Sequence, residues 1–302
     1  MSALLSLTLV SICAAARSAP QPLAFWALQE PTGSPRVSTG SAAPISLIDG
    51  NASHPIPTVT VPGGAPFGSY ASHFEPAPGN NSARLFASRA DAPAITSGIG
   101  GPNATVTLIA FVSLLESSGQ LPEGLVAGVW DEFGVEGGST GARQYAIFTN
   151  LGKCASSVTN NTYHGGLAAH LSPVGGPTPG QRFCITAACD SRELAPNAWH
   201  CFANVYDGEH IYAYVNGTLI ANGDSNPYPL EGGIFSPRGL PGRIGAEFGV
   251  GANRINSTVG GPPQWSNKWA GLIGGIAVWD RALSGADVRD FCNTAAGFGD
   301  DA

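Results

Sequence analysis

The stretch that decides the fold runs from Trp199 to Asn222 and reads WHCFANVYDGEHIYAYVNGTLIAN. It contains three runs of β-branched and aromatic residues, a composition typical of strands. The dipeptides Asp207-Gly208 and Asn216-Gly217 separate the runs, and both favour two-residue hairpin turns because they tolerate positive φ. The stretch therefore predicts three consecutive antiparallel strands.

The register of the first hairpin divides the side chains between two faces, because successive residues of a strand point in opposite directions. With Asp207-Gly208 as a two-residue loop, Tyr206 pairs with Glu209. One face then holds Phe202, Asn204, Tyr206, Ile211, Ala213 and Val215, and the other holds Trp199, Cys201, Ala203, Val205, His210, Tyr212 and Tyr214. Neither face is plainly polar, which predicts that the strands lie inside a larger sheet covered in part on both sides.

The same stretch resembles the laminin-G-like, concanavalin A-like jelly-roll family, whose members carry W-H-x-V-A-x-x-Y-D-G followed by a Y-V-N-G strand. The matching residues are Trp199, His200, Ala203, Tyr206, Asp207, Gly208 and Tyr214-Val215-Asn216-Gly217. A second match, GLIGGIAVWDRALSGADV from Gly271 to Val288, is similar to the final strand and short helix of the family. The departures are Cys201, Phe202 and the apolar run at 276–278, where an acidic residue is common.

The resemblance implies an all-β fold: a two-sheet antiparallel jelly-roll sandwich (concanavalin A-like) with long loops and one short C-terminal helix. We expect a single laminin-G-like domain over residues 17–302, preceded by a signal peptide at 1–16. Ser284 and Asp287 predict the start of the helix, in the pattern of a capping box. The family includes binding modules and enzymes, so the fold alone does not settle the function.

Composition agrees with a turn-rich β protein, since the chain has 41 Gly and 24 Pro and only 12% charged residues. The net charge of −7 disfavours nucleic acid and anionic membranes as partners, because both require basic patches.

The N-terminal segment predicts secretion to the extracellular space. Residues 4–15 are apolar apart from small Ser and Thr residues, and Ala14-Ala15-Ala16 provides a small-residue cleavage site. No later run is long enough to span a bilayer, so we expect no membrane insertion. Six Asn-x-Ser/Thr sequons support the secretory prediction: Asn51, Asn80, Asn103, Asn160, Asn216 and Asn256.

Five cysteines remain after removal of the predicted leader, which contains Cys13. An oxidising compartment favours disulfides, so we expect two bridges and one free or intermolecular thiol. Cys184 and Cys189 are close enough in sequence to close a small loop, but spacing leaves the connectivity open.

Other segments predict further strands and loops. An opening strand is expected within 20–30, paired near the C-terminal strand, and Thr105–Leu115 is expected as a central strand buried on both faces. Most of 31–65 is expected as surface loop with one short strand at 45–48. Three long Pro- and Gly-rich loops are expected at 172–198, 223–242 and 249–268.

The most suggestive polar residues predict a carbohydrate site at Trp130, Asp131, Arg143, Tyr145 and His164. Arg143 and Tyr145 alternate on a strand and are expected to share a face, where a guanidinium fork and an aromatic ring suit sugar recognition. The alternative is that Trp130 and Tyr145 are core, Arg143 pairs with a neighbouring carboxylate and the histidines lie on the surface.

The favoured function is a secreted, lectin-like domain that binds an extracellular or cell-wall glycan. The first alternative is a polysaccharide-degrading enzyme. The E-x-D-x-E motif of jelly-roll glucanases is absent, so a lyase using Arg143, Tyr145, His164 and His170 is the more plausible form. The third possibility is a protein–protein adhesion module.

The resemblance also raises a calcium site, since many laminin-G-like domains bind one. Asp224 and Asn226 are the best local candidates, because hard cations prefer oxygen ligands. Acidic residues in such segments also serve simply as turn residues, and the sequence leaves both readings open.

Overall fold

The computed structural model describes residues 19–75, 84–115, 124–132, 141–149, 166–179, 184, 187–189, 194–220, 233–236, 247–255 and 264–296. Two eight-stranded antiparallel sheets pack face to face. The predicted fold class, an all-β jelly-roll sandwich with one short C-terminal helix, is confirmed. Within the described residues no helix is long and apolar enough to cross a bilayer.

The first sheet has β1 (Ala24–Trp26) paired to β18, and otherwise runs in the order β14 (Thr218–Leu219), β13 (Ile211–Val215), β12 (Trp199–Tyr206), β7 (Val106–Leu114), β18 (Gly271–Trp279), β5 (Gly68–Phe74) and β4 (Thr58–Ala65). The pairing of β1 with β18 is the predicted contact between the opening and C-terminal strands. The central strand β7 is buried at all nine positions, as expected.

The second sheet runs in the order β11 (Ala187–Cys189), β10 (Leu167–Leu171), β9 (Ala142–Thr149), β8 (Gly124–Asp131), β15 (Phe248–Val250), β6 (Leu85–Ala87), β3 (Ser46–Asp49) and β2 (Arg36–Val37). A short hairpin beside it pairs β16 (Asn253–Arg254) with β17 (Trp265–Ser266), and the helix α1 spans Gly285–Ala296.

The deciding stretch forms the three adjacent strands β12, β13 and β14, as predicted. The first turn is longer than expected, because Tyr206 pairs with Ile211 rather than with Glu209. The Asp207 carboxylate accepts the backbone N–H groups of Glu209 (2.8 Å) and His210 (2.7 Å), which stabilises this longer loop. Because the register shifts by two residues, the predicted division between the two faces is preserved.

The main hydrophobic core fills the space between the sheets. Trp26 of the first sheet stacks on Phe248 of the second, with ring centroids 5.4 Å apart. Asn204 also faces this core, and its amide nitrogen donates to the backbone oxygens of Ala146 and His170, each at 3.0 Å. These two bonds tie β12 directly to β9 and β10 of the opposite sheet.

Helix α1 covers the outer face of the first sheet. The Cys201–Cys292 disulfide links it to β12, and the Phe291 ring packs on Trp279 with centroids 4.9 Å apart. The predicted capping pair is present: Ser284 Oγ accepts the Asp287 N–H (3.1 Å), and the Asp287 carboxylate accepts the Ser284 N–H (3.2 Å).

The structure corrects the suggested link between Cys184 and Cys189. Cys184 is a buried thiol whose sulfur donates to the Leu171 oxygen. Cys189 is disulfide-bonded, but not to Cys184. Cys201 instead pairs with Cys292, because the helix crosses the outer face of β12 and brings the two sulfurs together.

Strands β2 and β4 lie where mainly loop was expected. Strand β4 was not predicted because the Pro62-Gly63-Gly64 run opposes strand formation. In the structure β4 is an outermost strand, and its pairing with β5 is irregular between Thr60 and Ala65. Proline and glycine are tolerated at such edge and bulge positions. Strands β11, β16, β17 and most of β15 likewise interrupt segments predicted as long loops.

Candidate functional site

A row of paired residues crosses the outer face of the second sheet. In register across five strands, the row reads Ile48, Phe86, Gly249, Gly128 and Ala146. The inward neighbours of these positions belong to the main core, so the row itself faces outward. Gly249, Gly128 and Ala146 are all buried, and the Arg84 guanidinium covers Gly249.

A compact group at one side of this row contains Trp130, Glu132 and Arg143. We call this group, together with Phe148 and His170, the outer-face cluster. The Arg143 guanidinium lies over the Trp130 ring, 5.9 Å from its centroid. One carboxylate oxygen of Glu132 is 3.3 Å from Arg143 Nη2 and accepts the Trp130 indole N–H, also at 3.3 Å. Glu132 therefore holds the indole and the guanidinium together.

Arg143 keeps unused hydrogen-bonding capacity. Its Nε and Nη1 are buried and have no hydrogen-bond partner among the described residues. The Arg143 side chain is 9% exposed and that of Glu132 is 29% exposed, so the cluster meets solvent mainly at Glu132. The Arg143 backbone N–H donates to Gly175 O (3.2 Å), which packs the 172–176 segment beside the cluster.

Tyr145 does not belong to this surface, and the prediction that it shares an open face with Arg143 is wrong. It is fully buried in the main core, where its hydroxyl donates to the Ile95 oxygen. Burial raises the pKa of Tyr145 well above its ordinary value. A proton held this tightly makes Tyr145 unsuited to act as a catalytic base, which removes it from the lyase set.

His170 lies on the outer face but is buried rather than at the surface. Its ring packs edge-on against Trp130 and Phe148, with centroids 5.3 and 5.2 Å away. The alternative prediction is therefore correct for Trp130, which is only 3% exposed, for Tyr145 and for the pairing of Arg143 with a carboxylate, but not for His170. His164, the remaining member of both predicted sets, lies outside the described residues.

Asp131 points away from Glu132 into a buried ion network with Arg84, Glu247 and Arg254. Arg84 Nη2 is 3.4 Å from Asp131 Oδ1 and 3.3 Å from Glu247 Oε2, and Arg254 Nη1 is 3.2 Å from Glu247 Oε1. The Asp131 carboxylate also accepts the backbone N–H groups of Glu247 (2.9 Å) and Arg254 (3.1 Å). The predicted ligand-binding role of Asp131 is thus replaced by internal pairing.

Burial raises the pKa of Asp131 to about 6, although the nearby Arg84 charge opposes the shift. The network fixes the end of β8, since the Glu132 N–H donates to Arg254 O at 2.7 Å. The ion network thereby fixes the backbone position of Glu132, whose side chain contacts Trp130 and Arg143 in the outer-face cluster.

Sequence reasoning missed Arg84, Glu247, Arg254 and Trp265, which lie beside the cluster. The Arg84 guanidinium lies 4.7 Å from the Trp265 ring centroid and covers Gly249, where an added Cβ would meet Arg84 Nη2 at 2.7 Å. These residues come from segments far apart in sequence, and no local pattern signals their contact.

The predicted calcium ligands Asp224 and Asn226 lie outside the described residues. Among the residues that the structure describes, no group of three or more His, Cys, Asp or Glu side chains is placed to hold a metal. Of the sequons, Asn51, Asn103 and Asn216 are described, and Asn80, Asn160 and Asn256 are not.

A family model for the concanavalin A-like lectin/glucanase superfamily matches residues 138–289. The chain belongs to this superfamily. The match contains β9 to β18 and the first five residues of α1, and so includes Arg143 and His170 of the outer-face cluster. No curated protein sequence matches the chain.

Solved structures similar to this superfamily member share little sequence with it. A heptameric pentraxin from Limulus polyphemus is 13% identical (TM-score 0.39, 63% of this chain and 70% of that chain). A sialidase from Trypanosoma rangeli bound to the inhibitor DANA is 12% identical, with a TM-score of 0.49, over 90% of this chain and 32% of that chain. Domain 4 of an extracellular arabinanase from Geobacillus stearothermophilus, in complex with arabinotriose, is 12% identical, with a TM-score of 0.40, over 91% of this chain and 100% of that chain. None of these similarities bears on the function of this chain.

Proposed function

We propose that this protein is a secreted carbohydrate-binding domain that holds a neutral glycan against the outer face of its second sheet. The observation that carries the proposal is the Arg143 guanidinium. It stacks on Trp130 and is tied to Glu132 through one nitrogen, and its two further nitrogens are buried and have no partner among the described residues. A guanidinium donates to ligand oxygens, and the Glu132 carboxylate accepts from ligand hydroxyls. Sugar hydroxyls require both functions.

A second aromatic ring on the same face supports the same reading. Phe86 is partly exposed and lies two strands away from Trp130. Aromatic rings at such positions pack against the apolar faces of sugars. Membership of a superfamily that includes lectins is consistent with this use of the fold.

Charge favours a neutral glycan over a polyanion. Arg143 is balanced by Glu132, and the two arginines of the buried network are balanced by its two carboxylates. The described residues of the cluster and the network therefore carry no excess positive charge for a polyuronate, and the net charge of −7 would repel one. The same balance disfavours the lyase alternative, which needs cations to neutralise the uronate carboxylate.

Secretion is supported by the apolar N-terminal segment and by the Cys201–Cys292 disulfide, since such bonds persist in oxidising compartments. The full chain should be produced in a eukaryotic secretory host and screened on an array that carries neutral and acidic glycans. We expect binding to neutral glycans without product formation. Exclusive binding to polyuronates, the release of unsaturated ends, or a folded protein that binds no glycan would contradict the proposal.

A further inference from the structure

We infer that Asn216 carries an N-linked glycan on its Nδ2 atom and that this glycan shields the open edge of the first sheet. The inference rests on the proposed secretion, and not on glycan binding at the outer-face cluster. Asn216, Gly217 and Thr218 form an Asn-x-Thr sequon at the turn between β13 and β14.

The turn presents the asparagine in one fixed orientation. Asn216 has φ +50° and Gly217 φ +72°, the left-handed pair of a tight hairpin turn. The Asn216 Oδ1 accepts the backbone N–H of Cys201 at 2.9 Å, while the residue itself is exposed. The side chain is therefore held by its oxygen, and the nitrogen remains for the glycosidic bond.

The surroundings of the turn are rigid. Gly217 is buried against helix α1, where an added Cβ would meet the Arg289 Cα at 2.8 Å. The Cys201–Cys292 disulfide links the strand beneath the turn to the same helix. A glycan on Asn216 would therefore be attached to a turn that has little freedom to move.

The glycan would stand beside β14, at the edge of the first sheet. Among the described residues β14 is the last strand of the first sheet, and β13 is its partner on the inner side. Thr218 and Leu219 are both exposed, Leu219 at 50%. Edge strands with open backbone groups and apolar side chains invite pairing between molecules, and natural proteins cover them.

The structure distinguishes Asn216 from Asn51, whose amide is engaged on both atoms. The Asn51 Nδ2 is 3.2 Å from His54 Nδ1, and its Oδ1 accepts the Ser53 N–H at 3.0 Å. Asn103 is exposed, so its occupancy reports independently whether the chain has entered the secretory lumen.

The test is site-specific glycopeptide mapping of the full chain secreted from eukaryotic cells, compared with Thr218→Ala and Thr218→Ser variants. Thr218→Ala removes the sequon but keeps the Asn216 bond to Cys201, and Thr218→Ser keeps both. We expect occupied Asn216 in the wild type and the serine variant. We expect the alanine variant, and wild type after enzymatic deglycosylation, to self-associate at lower concentration in light scattering.

An unoccupied Asn216 in protein whose Asn103 is occupied would overturn the inference and leave secretion standing. A chain retained in the cell without any glycan would overturn both. If Asn216 is occupied but its loss leaves self-association unchanged, the shielding role is wrong.

Discussion

Arg143 and Tyr145 are separated by one residue on β9, yet their side chains lie on opposite faces of the second sheet. The cause is an irregularity in the pairing with β8, where Val129 pairs with Tyr145 and Trp130 pairs with Arg143. Gln144 has no partner in this register, as in a β-bulge, and a bulge redirects the side chains that flank it. Arg143 is thereby turned out onto Trp130, and Tyr145 is turned into the core.

The buried position of Tyr145 makes it a stability residue. Tyr145→Ala should lower the free energy of unfolding by about 3–5 kcal/mol, in the range of large-to-small aromatic core substitutions. Tyr145→Phe should cost about 1–3 kcal/mol, because it leaves the buried Ile95 oxygen without its donor. Denaturant unfolding of both variants measures these losses, and an alanine variant as stable as wild type would contradict the assignment.

The fold could be predicted where the signals were local. The Asn216-Gly217 turn, the β-branched runs around it and the Ser284–Asp287 capping pair are read from neighbouring residues, and the structure contains all three. Strand β4 was missed because Pro62 and the glycines after it oppose strand formation by propensity, whereas an edge position tolerates them.

The candidate site could be predicted only in part. The proximity of Trp130 and Arg143 is correct, since the two residues pair across β8 and β9. The predicted face of Tyr145 was wrong because alternation along a strand assumes regular pairing, and no residue in this segment signals the bulge. The diversion of Asp131 into the ion network depends on Arg84 and Glu247, which are distant in sequence and meet only in the fold.

The ion network predicts a pH dependence that Asp131 controls. Because burial raises the Asp131 pKa from 3.8 to about 6, the folded state binds more protons than the unfolded state between these values. The contribution of Asp131 to stability is therefore fully present below about pH 4 and is lost as the pH rises through about 6. This loss amounts to at most about 3 kcal/mol.

Melting temperatures of wild type and Asp131→Asn, measured from pH 4 to 7, isolate this contribution. The wild type should lose stability relative to the variant as the pH rises through this window. A constant difference between the two proteins across the window would show that Asp131 does not titrate as described.

The disulfide between Cys201 and Cys292 should contribute to global stability. It closes a separation of 91 residues and links α1 to the first sheet. The Cys201→Ala, Cys292→Ala double variant should lose about 2–5 kcal/mol, the usual cost of removing a native disulfide. Thermal unfolding tests the loss, and peptide mapping without reductant should show these two cysteines linked and Cys184 alkylated only after denaturation.

The central claim is that Arg143 donates to a glycan on the outer face of the second sheet. The direct measurement is calorimetric titration of wild type, Arg143→Ala and Tyr70→Ala with the neutral glycan that the array selects. Tyr70 is a matched control, being 44% exposed on the first sheet and outside the cluster.

The Arg143→Ala variant loses hydrogen bonds from a charged donor, which are worth about 1.5–3 kcal/mol. Its binding should therefore be weaker by about tenfold to a hundredfold. We expect Arg143→Ala to remain folded with a lower melting temperature, because its side chain is largely buried, and Tyr70→Ala to bind like wild type. A folded Arg143→Ala variant with wild-type affinity would contradict the account.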